Sequence, residues 1–226
     1  MLTTYRCASI DIGVVNLALC VTEFTELGDG KFRFNVTHLE RASIGSPSET
    51  MHVLGRKLVK FYAGNKALAG RSFDFVFIEQ QLSRAVKNYV LSYVTLSYFE
   101  TVNVTVDRPD RPAAAAAVVF VSPKNKFRAV RHAFPEAALR SIDFERRGRG
   151  LKKLSVEIAR LLFDAFAVDV GLKALREYGS KLDDISDVFL QSFAFFLNKK
   201  VSRDREAPWF ISVEEHAEGK DPEEQA

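Results

Sequence analysis

Cysteine is scarce in this 226-residue chain: Cys7 and Cys20 are the only two, and both sit in apolar stretches. There is no Cys-x-x-Cys pair and no Cys/His cluster, which argues against a zinc site. Two thiols without a secretory signal are expected to be buried and reduced, in an intracellular compartment. The N-terminus, MLTTYRCASID, lacks the apolar core of a signal peptide and the Arg/Ser-rich pattern of a transit peptide. Long apolar runs are missing too. The longest helical one, near Tyr89–Phe99, is interrupted by Ser and Thr and is too short to span a bilayer, so no membrane association is expected. No internal repeat is present.

What the chain does have is a sizeable apolar fraction, 47 %, and an uneven charge. Its length suits one large domain or one domain with additions. The net charge is +3, but residues 206–226 hold seven acids and a single lysine. That segment carries net −6, which leaves +9 on the rest. The expected organisation is therefore one domain over 1–205 followed by an acidic, flexible tail. A basic body beside an acidic tail suits a polyanionic partner. The same charges are equally compatible with a solubilising tail on an ordinary basic protein.

Tyr5–Ile12 reads as a buried strand, Val14–Phe24 as a second, and Phe32–Ile44, after the turn signal ELGDGK, as a third. GSPSE opens a helix with Ser46 or Ser48 as its cap, reaching about Tyr62. SFDFVFIEQQ contains a short apolar run ending in Glu79, the pattern of a buried parallel strand. Lys87–Val104 is helical by spacing, and Val118–Val121 is a fifth strand stopped by Ser122-Pro123. Two basic stretches follow, KNKFRAVRH from Lys124 and RRGRGLKK from Arg146, and the glycines of the second suggest a flexible loop. Helices are expected over Leu154–Phe166 and Leu182–Leu197. Beyond Ala207 only Trp209-Phe210-Ile211 offers a packing point. The order β-β-β-α-β-α-β-α-α implies an α/β fold: a mixed five-stranded sheet with helices on both faces, the order of the ribonuclease H-like fold.

Within that order the acids acquire meaning. Asp11 ends the first strand and Glu79 the fourth; parallel neighbours would present both at one sheet edge, where sites form. In KLDDISDVFLQSFAFF, Leu182, Ile185, Phe189, Phe193 and Phe196 make one apolar stripe. Asp184 and Asp187 lie three residues apart, roughly 60° around the helix, bordering that stripe. Asp183 points further out. Four carboxylates at one point repel unless cations neutralise them, and oxygen ligands suit Mg²⁺ or Mn²⁺. Two such ions can activate water and stabilise the leaving oxygen in phosphodiester hydrolysis. Singly, each acid has an ordinary explanation: a turn residue for Asp11, a helix-dipole partner for the aspartates, a surface ion pair for Glu79. Their joint order is the more specific signal.

SIDIGVVNLALCV, FVFIEQQ and KLDDISDVFLQSF resemble the RuvC-like Holliday junction resolvases, most closely the poxvirus branch and next the fungal mitochondrial one. The resemblance runs over roughly Cys7–Asn198. It implies a homodimeric, divalent-metal-dependent endonuclease that cuts four-way DNA junctions by paired nicks. Asp11, Glu79, Asp184 and Asp187 would be its catalytic metal ligands, holding two ions per site. Asn16 and Gln81 match residues common in those two branches, and Asp183, Lys181 and Gln81 would stand beside the ligands. Lys124, Lys126, Arg128, Arg146, Arg147, Arg149, Lys152 and Lys153 are candidates for contacting DNA phosphates, which would make binding strongly salt dependent. If the chain is viral, it would act in the host cytoplasm. The alanine run at 113–117 and the acidic tail depart from the family pattern.

Three other readings compete. An ATP-binding actin-like or sugar-kinase-like protein also has Asp-x-Gly after its first strand. It would need a second related domain and another phosphate loop, and the only other Asp-Gly, Asp29-Gly30, falls in a hairpin turn. A ribonuclease H acting on RNA–DNA hybrids, or a transposase-type nuclease, keeps the fold but changes the substrate. A non-catalytic DNA-binding protein would leave the acidic set without a purpose.

Overall fold

The computed structural model describes residues 2–28, 31–105, 116–123, 126–127, 130, 142–144, 149–179 and 181–200. Lys124, Arg128, Arg146, Arg147, Asp29-Gly30, alanines 113–115 and the acidic tail with Trp209-Phe210-Ile211 lie outside the described residues.

The first three strands are β1 (Thr4–Asp11), β2 (Leu17–Gly28) and β3 (Lys31–Ala42). Each pairs antiparallel with the next. β4 (Phe75–Glu79) and β5 (Ala117–Val121) extend the sheet in parallel from β1, giving the order β3-β2-β1-β4-β5. The helices are α1 (Met51–Gly64), α2 (Val86–Thr105), α3 (Arg149–Ala165), α4 (Asp169–Glu177) and α5 (Leu182–Lys200). The expected mixed sheet of five strands is thus present.

Side-chain alternation divides the strands between two cores. Ala8, Ile10, Leu19, Val76 and Ile78 pack with Leu54, Leu58 and Tyr62 of α1 and with Leu91 and Phe99 of α2. Cys7, Cys20, Phe24, Phe34 and Phe77 pack with α3, α4 and α5 on the other face. Rings dominate there: Phe24 stacks on Phe196 at 4.0 Å and 3°, and Phe34 meets Phe189 and Phe193 at 5.7 and 5.3 Å. Each buried ring contributes ~1.5–3 kcal/mol by leaving water. This core fixes α5 across β1 and β2.

Three details differ from the sequence reading. Thr50, not Ser46 or Ser48, caps α1, accepting from the Val53 N–H; the two serines bond each other in the preceding turn. α4 was not expected: its nine residues, DVGLKALRE, follow α3 through Ala167, which adopts φ 49°. The Val168 N–H then bonds the Phe163 carbonyl at 2.8 Å, the closure of a left-handed helix C-cap made without glycine. Finally, α3 begins at Arg149, so Arg149-Gly150 belongs to a helix rather than a loop. Among the described residues no helix is long and apolar enough to cross a membrane.

Candidate active site

Asp11 and Glu79 are the last residues of β1 and β4, whose parallel register pairs Ile10 with Ile78 one position earlier. Period-2 alternation turns both toward α5, together with Cys7, Ser9 and Phe77. α5 starts above this edge with Asp183 and Asp184 in its first turn. Asp187 follows one turn on.

The acids lie within electrostatic reach of one another. Burial, then the charges of Asp187 and Asp184, pushes the Asp11 carboxyl up to about 6, against a hydrogen bond from Gln81 and the charge of Lys126. Burial and the Asp11 charge push Glu79 up to about 8, with Asp187 and Asp184 adding to the rise and Lys126 opposing it. Asp184 is raised as well, by burial and then by Asp183, while Lys181, Lys152 and Arg41 pull it back. Asp183 behaves differently. Burial opposes its charge, but the hydrogen bond and charge of Lys152 hold it below the usual carboxylate range.

The partners are specific. Gln81 Nε2 donates to Asp11 Oδ1 at 3.0 Å. Lys126 Nζ lies 2.5 Å from Asp187 Oδ1, an ion pair without hydrogen-bond alignment. Asp184 Oδ2 is buried with no hydrogen-bond partner. Arg41, near the end of β3, lays its guanidinium over the Tyr178 ring at 5.6 Å and keeps a buried, unpaired Nη1.

A hard divalent cation fits the chemistry of this donor set: four clustered carboxylates and a buried oxygen with no donor. Among the described residues, however, no three acidic, His or Cys side chains close into a ready cage. Lys126 supplies positive charge there instead. Two residues assigned to DNA phosphates thus have other neighbours in this structure, Lys126 on Asp187 and Lys152 on Asp183. Lys153 is exposed, and Asn16 is half-buried in the turn after β1.

Two residues of the site escaped the sequence reading. Gln191, one turn beyond Asp187, contacts Glu79 and Ser9. Its signal was a lone amide within the apolar helix face VFLQSF. Arg41 carried no signal, because the end of β3 comes near Asp184 only through the tertiary fold.

No family model matches the chain, and no curated protein does. Solved structures do. The yeast mitochondrial Holliday junction resolvase aligns at TM-score 0.53 and 15 % identity, over 84 % of this chain and 78 % of that one. The fowlpox virus resolvase, solved with its Holliday junction DNA substrate, aligns at TM-score 0.51 and 16 % identity, over 86 % and 98 %. The structural neighbours are Holliday junction resolvases, and this chain shares their α/β, ribonuclease H-like fold.

Proposed function

We propose that this protein is a Holliday junction resolvase: an endonuclease that hydrolyses phosphodiesters in four-way DNA junctions by paired, symmetric nicks. One observation carries the reading. In a chain with the fold of the resolvases, Asp11 and Glu79 end adjacent parallel strands within electrostatic reach of Asp184 and Asp187 of α5.

Asp11, Glu79, Asp184 and Asp187 would hold Mg²⁺ or Mn²⁺, two ions per site. When bound, the ions supply an activated water and stabilise the leaving oxygen. The chain's own residues do the rest. Gln81 orients Asp11 through Oδ1, and the buried Asp184 oxygen waits for a cationic partner. Lys126 balances the charge of Asp187 and would be free to contact a phosphate if a metal ion took over that role. Lys152, paired with Asp183, ties the start of α3 to the start of α5. Lys124, Arg128, Arg146, Arg147, Arg149 and Lys153 would contact phosphates along the junction arms, within a body spanning 1–205. The active form would be a homodimer, since paired nicks require two sites.

A cleavage panel tests this: four-way junction, Y-fork, RNA–DNA hybrid and linear duplex, each with Mg²⁺, Mn²⁺ or EDTA. Symmetric, metal-dependent nicking of the junction is expected, with little cutting of linear duplex. Asp187→Asn should lower that cleavage by more than ~10²-fold while leaving junction binding in EDTA intact. Full cleavage by Asp187→Asn would remove this residue from the site. Preferential cutting of the hybrid would turn the reading to a ribonuclease H.

A further inference from the structure

Gln191 is 4 % exposed, buried on the side of α5 opposite Phe189, Phe193 and Phe196. A buried amide is costly unless both its ends are satisfied. Oriented to match its neighbours, this one makes three contacts of 3.2 Å: Nε2 donates to Glu79 Oε2, and Oε1 accepts from the Glu79 backbone N–H and from Ser9 Oγ. A single side chain therefore grips the ends of both central strands and holds Glu79 by backbone and carboxylate together.

The chemistry of the group matters as much as its reach. An ammonium or guanidinium here would neutralise Glu79, and a carboxylate would add another negative charge to the cluster. A neutral amide fixes the carboxylate through one oxygen without cancelling its charge, so the other oxygen keeps its lone pairs for a ligand. Gln191 also follows Asp187 and Asp184 by four and seven residues, on the same side of the helix. The clamp consequently sets the register of the helical aspartates over the strand-end acids.

We infer that Gln191 is the positioning residue for Glu79, presenting its carboxylate to a divalent cation shared with Asp11, Asp184 and Asp187. This rests on the nuclease reading. Outer partners of ligating carboxylates typically govern metal affinity by 10–100-fold.

The experiment is calorimetric titration of the full chain with MnCl₂, without DNA, alongside junction binding in EDTA. Gln191→Met keeps the length and apolar volume but removes the amide. It should weaken Mn²⁺ binding by ~10–100-fold while junction binding in EDTA is unchanged. Ser9→Ala, which removes only the far contact, should weaken it less. Ser192→Ala, at the next position of α5 where a buried hydroxyl has no hydrogen-bond partner, should leave it unchanged. Wild-type Mn²⁺ affinity in Gln191→Met overturns the inference, as does an equal loss in Ser192→Ala, which would mean general damage to the helix. If Gln191→Met does not fold, Ser9→Ala decides by the same criterion. Wild-type protein that neither binds Mn²⁺ nor cuts a junction overturns the nuclease reading itself, whatever the variants do.

Discussion

Ionising Glu79 in the metal-free fold carries a cost. Its carboxyl titrates at about 8 and that of Asp11 at about 6, against ordinary values of 4.5 and 3.8. Without metal, the folded chain therefore binds these protons more tightly than the unfolded chain does. The stabilisation is complete below about pH 4 and disappears as pH rises through 6 and then 8. In EDTA, melting temperature should fall between pH 5 and pH 9. Glu79→Gln should flatten that fall and melt above wild type at pH 9, by ~2–4 °C for each kcal/mol relieved. Scanning calorimetry at the two pH values checks this, and equal melting of wild type at both would mean the acids do not burden the apo fold. The four carboxylates proposed as ligands stand out in the sequence because acids are conspicuous in apolar strands and at a helix start. Gln191 and Arg41 were not: an amide in a helix and an arginine in a strand are unremarkable until the fold brings them to Glu79 and Asp184.

At the scale of elements, the turn from β1 to β2 decides where Asp11 points. A Cβ on Gly13 would lie 2.6 Å from the Asn16 backbone oxygen, a contact that no side-chain movement relieves. The turn is therefore as tight as glycine permits, and widening it would shift the Asp11–Ala18 pairing that ends the β1–β2 ladder. Gly13→Ala should cost ~1–3 kcal/mol, roughly 2–12 °C in melting temperature for a chain of this size, and should lower cleavage as well. Gly64→Ala, at the end of α1 with nothing within 4 Å of its added methyl, is the control and should be neutral or slightly stabilising. A Gly13→Ala chain that melts and cuts as wild type would show that the turn has slack. The strands were legible from their apolar runs and turn signals. α4 was not, because it is short and its boundary is a left-handed alanine, which carries none of the usual glycine or proline punctuation. The α1 cap was misplaced because Ser46, Ser48 and Thr50 offer three plausible hydroxyls, and only the fold selects Thr50.

For the whole molecule, the unanswered surface is the outer side of α2. That helix is apolar around most of its circumference; Leu91, Thr95 and Phe99 are buried against the sheet, and Tyr93 reaches the Phe120 ring of β5 at 5.2 Å. Val86, Tyr89, Val90 and Tyr93 remain 38–62 % exposed, and Val90 and Tyr93, with Val59 of α1, line a groove of about 520 Å³ that also includes the hydroxyl residues Ser97 and Thr101. A helix apolar all round calls for cover on its outer face. Each chain carries one carboxylate cluster, while a four-way junction offers two equivalent strands to cut. Under the proposed function, a second copy seated on α2 about a two-fold axis would meet both requirements, the isologous contact closing on itself without leading to fibres. The sequence marks Lys87–Val104 as a helix but not which of its sides is exposed, since that depends on how α1 and the sheet pack. Light scattering should give a dimer for the wild-type chain. Val90→Glu, which places like charges near one another across the axis, should shift it to monomer and convert paired nicking of a junction into independent single nicks. A wild-type chain that is monomeric both free and on a junction would sink the dimer, and one that still nicks in pairs as a monomer would require a different route to symmetry.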